Sequence, residues 1–157
     1  MTIQFWTIGK AHEPYVEAGI TDFTKRINNY FTTSWKIIAS PKNAASLSEE
    51  ELKRKEAEAV LKSITAHDYL VALDEQGKQL TSQQLSMFIQ KRANESVKQL
   101  IFLIGGAYGI DHSVIERANT KWSLSDLTFP HQLVRLILAE QVYRACTIIR
   151  NEKYHHG

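Results

Sequence analysis

Five short apolar runs, each followed by a longer stretch of helical pattern, constrain this chain more than any other feature. The runs cover residues 3–8, 35–39, 69–73, 100–104 and 122–125. A near-continuous apolar run is how a strand buried on both faces reads, and parallel strands need crossovers of roughly a dozen residues or more. The pattern therefore predicts an α/β fold: a mostly parallel sheet with helices on both faces. No internal repeat, low-complexity tract or linker interrupts it, so residues 1–157 are read as a single domain. In such sheets ligands bind outside the carboxyl ends of strands. Leu73, Gly105 and Leu124 all stand at or near such ends.

Helix boundaries are marked by side chains that satisfy free N–H groups. Ser48 with Glu51, and Thr81 with Gln84, match the capping-box pattern and predict helices starting there. The first of these helices carries Glu50/Arg54 and Glu51/Lys55, spaced as favourable i,i+4 pairs. Its charge run reads as a solvated face, with an RNA contact as the alternative. An earlier helix over 13–29 has Val16, Ala18, Ile20, Phe23 and Ile27 at rough helical spacing. Asp74 closes the third strand and Gln76-Gly77 reads as a turn. Asp111 caps a short helix over 112–118, and a long apolar helix covers 132–150.

Two loops carry the functional signal. The strand over 100–104 runs into Gly105-Gly106-Ala107-Tyr108-Gly109. This is not a dinucleotide fingerprint, which requires G-x-G-x-x-G and an acidic residue about 20 positions on, where this chain has Phe129. A phosphate-binding G-x-x-x-x-G-K-[ST] loop is also absent. By itself the glycine pair is equally consistent with a plain tight turn. The second loop, Leu124-Ser125-Asp126-Leu127-Thr128-Phe129, alternates apolar and short polar residues, and Pro130 biases Phe129 to extended backbone. Extended backbone offers N–H and C=O groups in a row, able to read an adenine edge while Leu and Phe cover its faces. Pro130 suits the first turn of the helix that follows. The bland alternative is a simple strand-to-helix connection.

That last helix has Leu133, Val134, Leu136, Ile137, Leu138, Val142 and Ile148 around most of its circumference. Such a helix is expected to be buried against its own sheet and against a partner. Arg135 and Arg144 are candidates for pairing with Glu140 or for contacting RNA phosphate. Beyond it, Tyr154 and His155 would stack on or deprotonate a base if the tail folds over the pocket.

Composition excludes several classes. Hydrophobic residues at 43% and charged residues at 23% are ordinary globular values, and a net charge of +2 permits a nucleic-acid partner without arguing for one. No apolar run reaches the roughly 20 residues of a membrane span, and the first residues lack a signal-peptide pattern. A cytoplasmic, non-membrane protein is expected. The single cysteine, Cys146, reads as a small buried hydrophobe. His112, His131, His155 and His156 lack the spacing of a zinc site, so no metal is expected. No nucleophile–base set stands out either, which suits a reaction whose reactive group is brought by a cofactor.

Ile104-Gly105-Gly106-Ala107-Tyr108-Gly109, Leu127-Thr128-Phe129-Pro130-His131, Glu140-Gln141-Val142-Tyr143-Arg144-Ala145 and Tyr154-His155 together resemble the signatures of one bacterial family. Ile8-Gly9-Lys10, and Leu73-Asp74 with Gly77-Lys78, extend the resemblance to nearly the whole chain. The family is that of SPOUT-class methyltransferases acting on N3 of a pseudouridine in 23S ribosomal RNA. The resemblance implies a trefoil knot in the C-terminal half, a departure from the rule that chains do not thread, and a homodimer. It implies that S-adenosylmethionine is bound by Leu73, by Gly105 and by Leu124, Ser125, Asp126, Leu127, Thr128 and Phe129, with only backbone roles for Ser125 and Asp126. His131, Arg135, Tyr154 and His155 become the catalytic candidates, with His155 first as the base. The modest charge and lack of an added RNA-binding domain favour recognition of an assembled ribosome over naked rRNA. The alternatives are a knotted methyltransferase for transfer RNA or another rRNA site, and a non-catalytic ribosome-associated factor.

Overall fold

A computed structural model describes residues 1–157. Four of the five apolar runs are strands of one sheet. The fifth, expected over 122–125, contributes only Trp122 to a strand that starts at Thr120, because the parallel pairing with β3 ends there. The order is β2-β1-β4-β3-β5, in which every paired strand is parallel. The strands are β1 (Thr2–Ile8), β2 (Thr32–Ile38), β3 (Tyr69–Lys78), β4 (Gln99–Ile104) and β5 (Thr120–Trp122). The helices are α1 (Pro14–Ile27), α2 (Glu49–Ser63), α3 (Ser82–Asn94), α4 (His112–Arg117) and α5 (His131–Ile149).

Alternation along β4 divides the core in two. Leu100, Phe102 and Ile104 point into a cluster with Ile27 of α1, Leu85 and Ile89 of α3, and Leu138 and Val142 of α5. Ile101 and Leu103 point the other way, onto Ala57 and Val60 of α2 and Val114 of α4. Helices α1, α3 and α5 thus cover one face and α2 and α4 the other, as expected for an α/β sandwich.

The caps form largely as the side chains dictate. Thr81 and Gln84 make the complete reciprocal box. Ser48 accepts from the Glu51 N–H, but the Glu51 carboxylate bonds the Ser48 hydroxyl and leaves the N-cap N–H alone. Asp111 caps α4 through Ser113. The Glu50/Arg54 and Glu51/Lys55 pairs do not form ion pairs; α1 and α5 carry the i,i+4 bridges Asp22–Arg26 and Glu140–Arg144 instead.

Three further expectations are corrected. First, β3 does not end at Asp74. It continues to Lys78 with a register shift, and Lys78 pairs with Trp122. Gly77 is there for close approach: a Cβ would meet Lys121 and Trp122 backbone at 2.7 Å. Second, Pro130 stands at the N-cap of α5 with extended ψ, so its fixed ring ends the loop instead of entering the first turn. Third, the charged face of α2 is not wholly solvated. Leu52, Glu56, Ala57 and Val60 form its inner stripe, and Glu56 is only 5% exposed.

Candidate cofactor site

At the carboxyl ends of β3, β4 and β5 the sheet opens into a cavity of about 810 Å³. Its walls include Leu73, the turn Gly105–Gly109, and Leu124, Ser125, Leu127, Thr128 and Phe129. This volume lies within the range of small-molecule sites. The three strand ends picked out from sequence therefore converge in space, because parallel strands release their loops on one edge.

The backbone of both loops is free to bind. Ala107 and Tyr108 donate to no carbonyl of the chain, and neither do Leu124, Asp126, Thr128 and Phe129, while Gly106 and Gly109 pair in an isolated antiparallel bridge. Ser125 shapes the second loop by accepting the Leu127 N–H at 3.0 Å. Leu127 stands 71% exposed at the rim. Gly105 permits the tight first turn, since a Cβ there would meet Ile110 at 2.7 Å and the Gly109 carbonyl carbon at 2.9 Å. Asp74 and Glu75 bring carboxylates to the same cavity. Unbonded N–H groups, apolar faces and carboxylates together suit a ligand with a heteroaromatic ring and positive centres. Asp126, by contrast, does not line the cavity.

His131 and Arg135 lie behind the cavity wall. The Nε2–H of His131 donates to the Gly105 carbonyl, 2.5 Å away. Its Nδ1 accepts from Arg135 Nη2 at 3.5 Å, and Arg135 Nη1 donates to His12 Nδ1 at 3.2 Å. Arg135 is fully buried, with no carboxylate in contact and its Nε–H unpartnered. Burial, followed by the neighbouring Arg135 charge, lowers the pKa of His12 below its ordinary value. Burial likewise lowers the pKa of His131, with the Arg135 charge adding to it and the Gly105 bond opposing. Both imidazoles therefore accept from the guanidinium as neutral rings. Both ring nitrogens of His131 are thus engaged, Nε2 by the Gly105 carbonyl and Nδ1 by Arg135. The His12 partner of Arg135 was not found from sequence, because nothing in the spacing of residues 12 and 135 signals their contact.

Tyr154 and His155 form a separate cluster. The Tyr154 hydroxyl donates to Glu140 at 2.8 Å, Arg144 pairs with the same carboxylate at 2.7 Å, and Arg144 Nη1 donates to His155 Nδ1 at 3.1 Å. The amide of Gln83 lies 3.0 Å from the other ring nitrogen. Burial, then the Glu140 bond, raises the pKa of Tyr154 above its ordinary value, so its phenol is a donor. None of these residues lines the cavity. Val134 marks the cavity end of α5, and the helical rise puts Arg144 roughly 15 Å further along the axis. The tail does not fold over its own chain's pocket. No group of three His, Cys, Asp or Glu side chains is positioned to hold a metal ion.

A parallel α/β sheet whose cofactor-sized cavity is built from backbone-rich loops at the strand ends defines a class of nucleotide-type cofactor proteins. Comparison narrows the class. A family described as "Predicted SPOUT methyltransferase" matches residues 1–155. The chain is 46% identical over 156 residues to the ribosomal RNA large subunit methyltransferase H of Cytophaga hutchinsonii, covering 99% of this chain and 100% of that one. It is 43% identical to the protein of the same name from Parabacteroides distasonis, over 99% of both chains. The Bacillus pumilus protein of that name is 42% identical, again over 99% of both. The chain belongs to the SPOUT methyltransferase family, whose members use S-adenosylmethionine. No helix is long and apolar enough to cross a membrane.

Proposed function

We propose that this protein methylates N3 of a pseudouridine in 23S ribosomal RNA, acting in the cytoplasm on assembled ribosomes as a homodimer. The knotted C-terminal half and the one-domain organisation over residues 1–157 belong to the same proposal. Support for an rRNA substrate comes from the relatives, named for large-subunit ribosomal RNA and matching from end to end.

S-adenosylmethionine would be held by Leu73, by the Gly105 turn and by Leu124, Ser125, Leu127, Thr128 and Phe129, with Leu124, Leu127 and Phe129 against its ring faces. Bound there, it supplies a methyl group on a positively charged sulfur. The protein must align N3 with that methyl carbon and receive the N3 proton as the new N–C bond forms.

One observation carries the proposal of a dimeric site: the Glu140–Arg144–Tyr154–His155 cluster lies about two and a half helical turns from the cavity of its own chain. A second copy packed on α5, where Leu133, Leu136 and Ile137 are only partly covered, would bring its tail to this cavity. His155 is the proton acceptor in this scheme. In the isolated chain its Nδ1 faces Arg144 and its Nε2 faces the Gln83 amide. Exchange of Arg144 for the nucleobase frees Nδ1 to accept, and leaves the guanidinium to face the developing anion.

The test is methyl transfer from labelled S-adenosylmethionine to ribosomes lacking the modification, beside free 23S rRNA, with nucleoside mass spectrometry. N3-methylpseudouridine on ribosomes alone is expected. A different methylated nucleoside, or equal transfer to free rRNA, overturns the substrate assignment.

A further inference from the structure

Glu56 occupies a position where the inner stripe of α2 calls for an apolar residue. Leu52, Ala57 and Val60 share that stripe and pack into the core, yet a carboxylate stands among them at 5% exposure. Its one hydrogen bond comes from the Ser40 hydroxyl, long at 3.4 Å. Burial raises the pKa of this carboxyl above its ordinary value, with the Ser40 bond opposing. A buried carboxyl with a single weak partner is costly, and nothing in the packing of α2 requires it.

What it touches is the cofactor loop. A Cβ built on Gly106 would lie 2.7 Å and 2.9 Å from the two Glu56 oxygens and 3.1 Å from the carboxyl carbon. Gly106 itself is pinned to Gly109 by an isolated antiparallel bridge, so the height of the whole turn follows the position of this one residue. A buried carboxyl with one weak donor is therefore packed against the backbone of the glycine turn. Lys53, one turn earlier on the same face of α2, lines the cavity itself, so this helix supports the loop from beneath.

We infer that Glu56 is a positioning residue for cofactor binding: its buried carboxyl is the floor that sets the height of the Gly105–Gly109 turn against the 124–129 loop. Glycine at 106 is the complementary half of that contact. The inference rests on the assignment of the cavity to S-adenosylmethionine, and a wild-type protein that fails to bind this cofactor would sink that assignment separately.

The experiment is calorimetric titration of the full-length protein with S-adenosylmethionine, each variant first checked for an unchanged melting temperature. Gly106→Ala should weaken binding about tenfold or more, because the added methyl collides with a carboxyl that burial leaves little room to move. Glu56→Ala alone should weaken binding by a similar factor by removing the floor, whereas the isosteric Glu56→Gln should stay within about threefold of wild type. Combining Glu56→Ala with Gly106→Ala should bind more tightly than Gly106→Ala alone, since the methyl then fills the vacated space. A merely structural role for Glu56 predicts no such reversal. A double variant as weak as Gly106→Ala, or weaker, overturns the inference. If Gly106→Ala does not fold, Glu56→Gln and Glu56→Ala decide alone: equal loss in both, or none in either, overturns it.

Discussion

His131 donates its Nε2–H to the main-chain carbonyl of Gly105 while its Nδ1 accepts from Arg135, which is fully buried and also reaches His12. The first residue of α5 is thereby tied to the first residue of the glycine loop. Two positions marked from sequence as catalytic candidates stand behind the wall of the cavity, joined to it through this bond. A buried carbonyl keeps its geometry only while its donor is present.

Replacing His131 with Ala strands that carbonyl and loosens the turn. S-adenosylmethionine affinity should fall about tenfold, equivalent to ~1.4 kcal/mol and typical of a lost buried hydrogen bond. Titration calorimetry measures it. Unchanged affinity would mean that the loop does not depend on this bond.

Acidification should destabilise the fold through the same pair of histidines. His12 and His131 have pKa values lowered from 6.5, so between that value and the folded one the unfolded chain binds more protons. Stability is then full above pH 6.5 and is lost as pH falls below it, by at most about 1.4 kcal/mol per pH unit for each histidine. Urea unfolding at a series of pH values gives the slope. Replacing both histidines with Gln should flatten it.

His155→Ala should leave cofactor affinity unchanged and reduce kcat on ribosomes by about a hundredfold or more, the usual loss for a missing general base. A parallel fall in S-adenosylmethionine affinity would instead place the tail in cofactor binding.

Gly105→Ala should abolish cofactor binding while the tail cluster stays intact, because the methyl meets Ile110 and Gly109 within 2.9 Å. Co-expressing Gly105→Ala and His155→Ala chains should then recover activity that neither homodimer has, since mixed dimers carry one intact pairing of pocket and tail. Absence of recovery in purified mixed dimers argues for sites contained within single chains.

Ile137→Lys places a charge on the partly covered side of α5. It should shift the protein from dimer to monomer in light scattering and remove methyl transfer, because an unpaired charge in an apolar interface is strongly unfavourable.

Much of the fold was legible in the sequence. Apolar runs mark strands wherever both sheet faces are covered, and Thr81 with Gln84 announces a helix start through side chains that bond only nearby N–H groups. The end of β3 was misjudged because Gln76-Gly77 has turn composition, while the approach of Lys121 and Trp122 that makes glycine necessary comes from far along the chain. The burial of Glu56 is hidden for the same reason: within a charge run read as a solvated face, no local signal separates it from its neighbours.

Periodicity and short motifs are local and survive in one dimension, so the chain alone revealed the parallel α/β class, the strand ends that carry the cavity and, through its motifs, the resemblance to the SPOUT family. The strand order, the burial of Glu56 and Arg135, the His12–Arg135–His131 brace, and the distance of Tyr154 and His155 from the cavity emerged with the folded chain. Those depend on which distant segments exclude water from a given side chain. Such contacts leave no periodic trace in the chain that makes them.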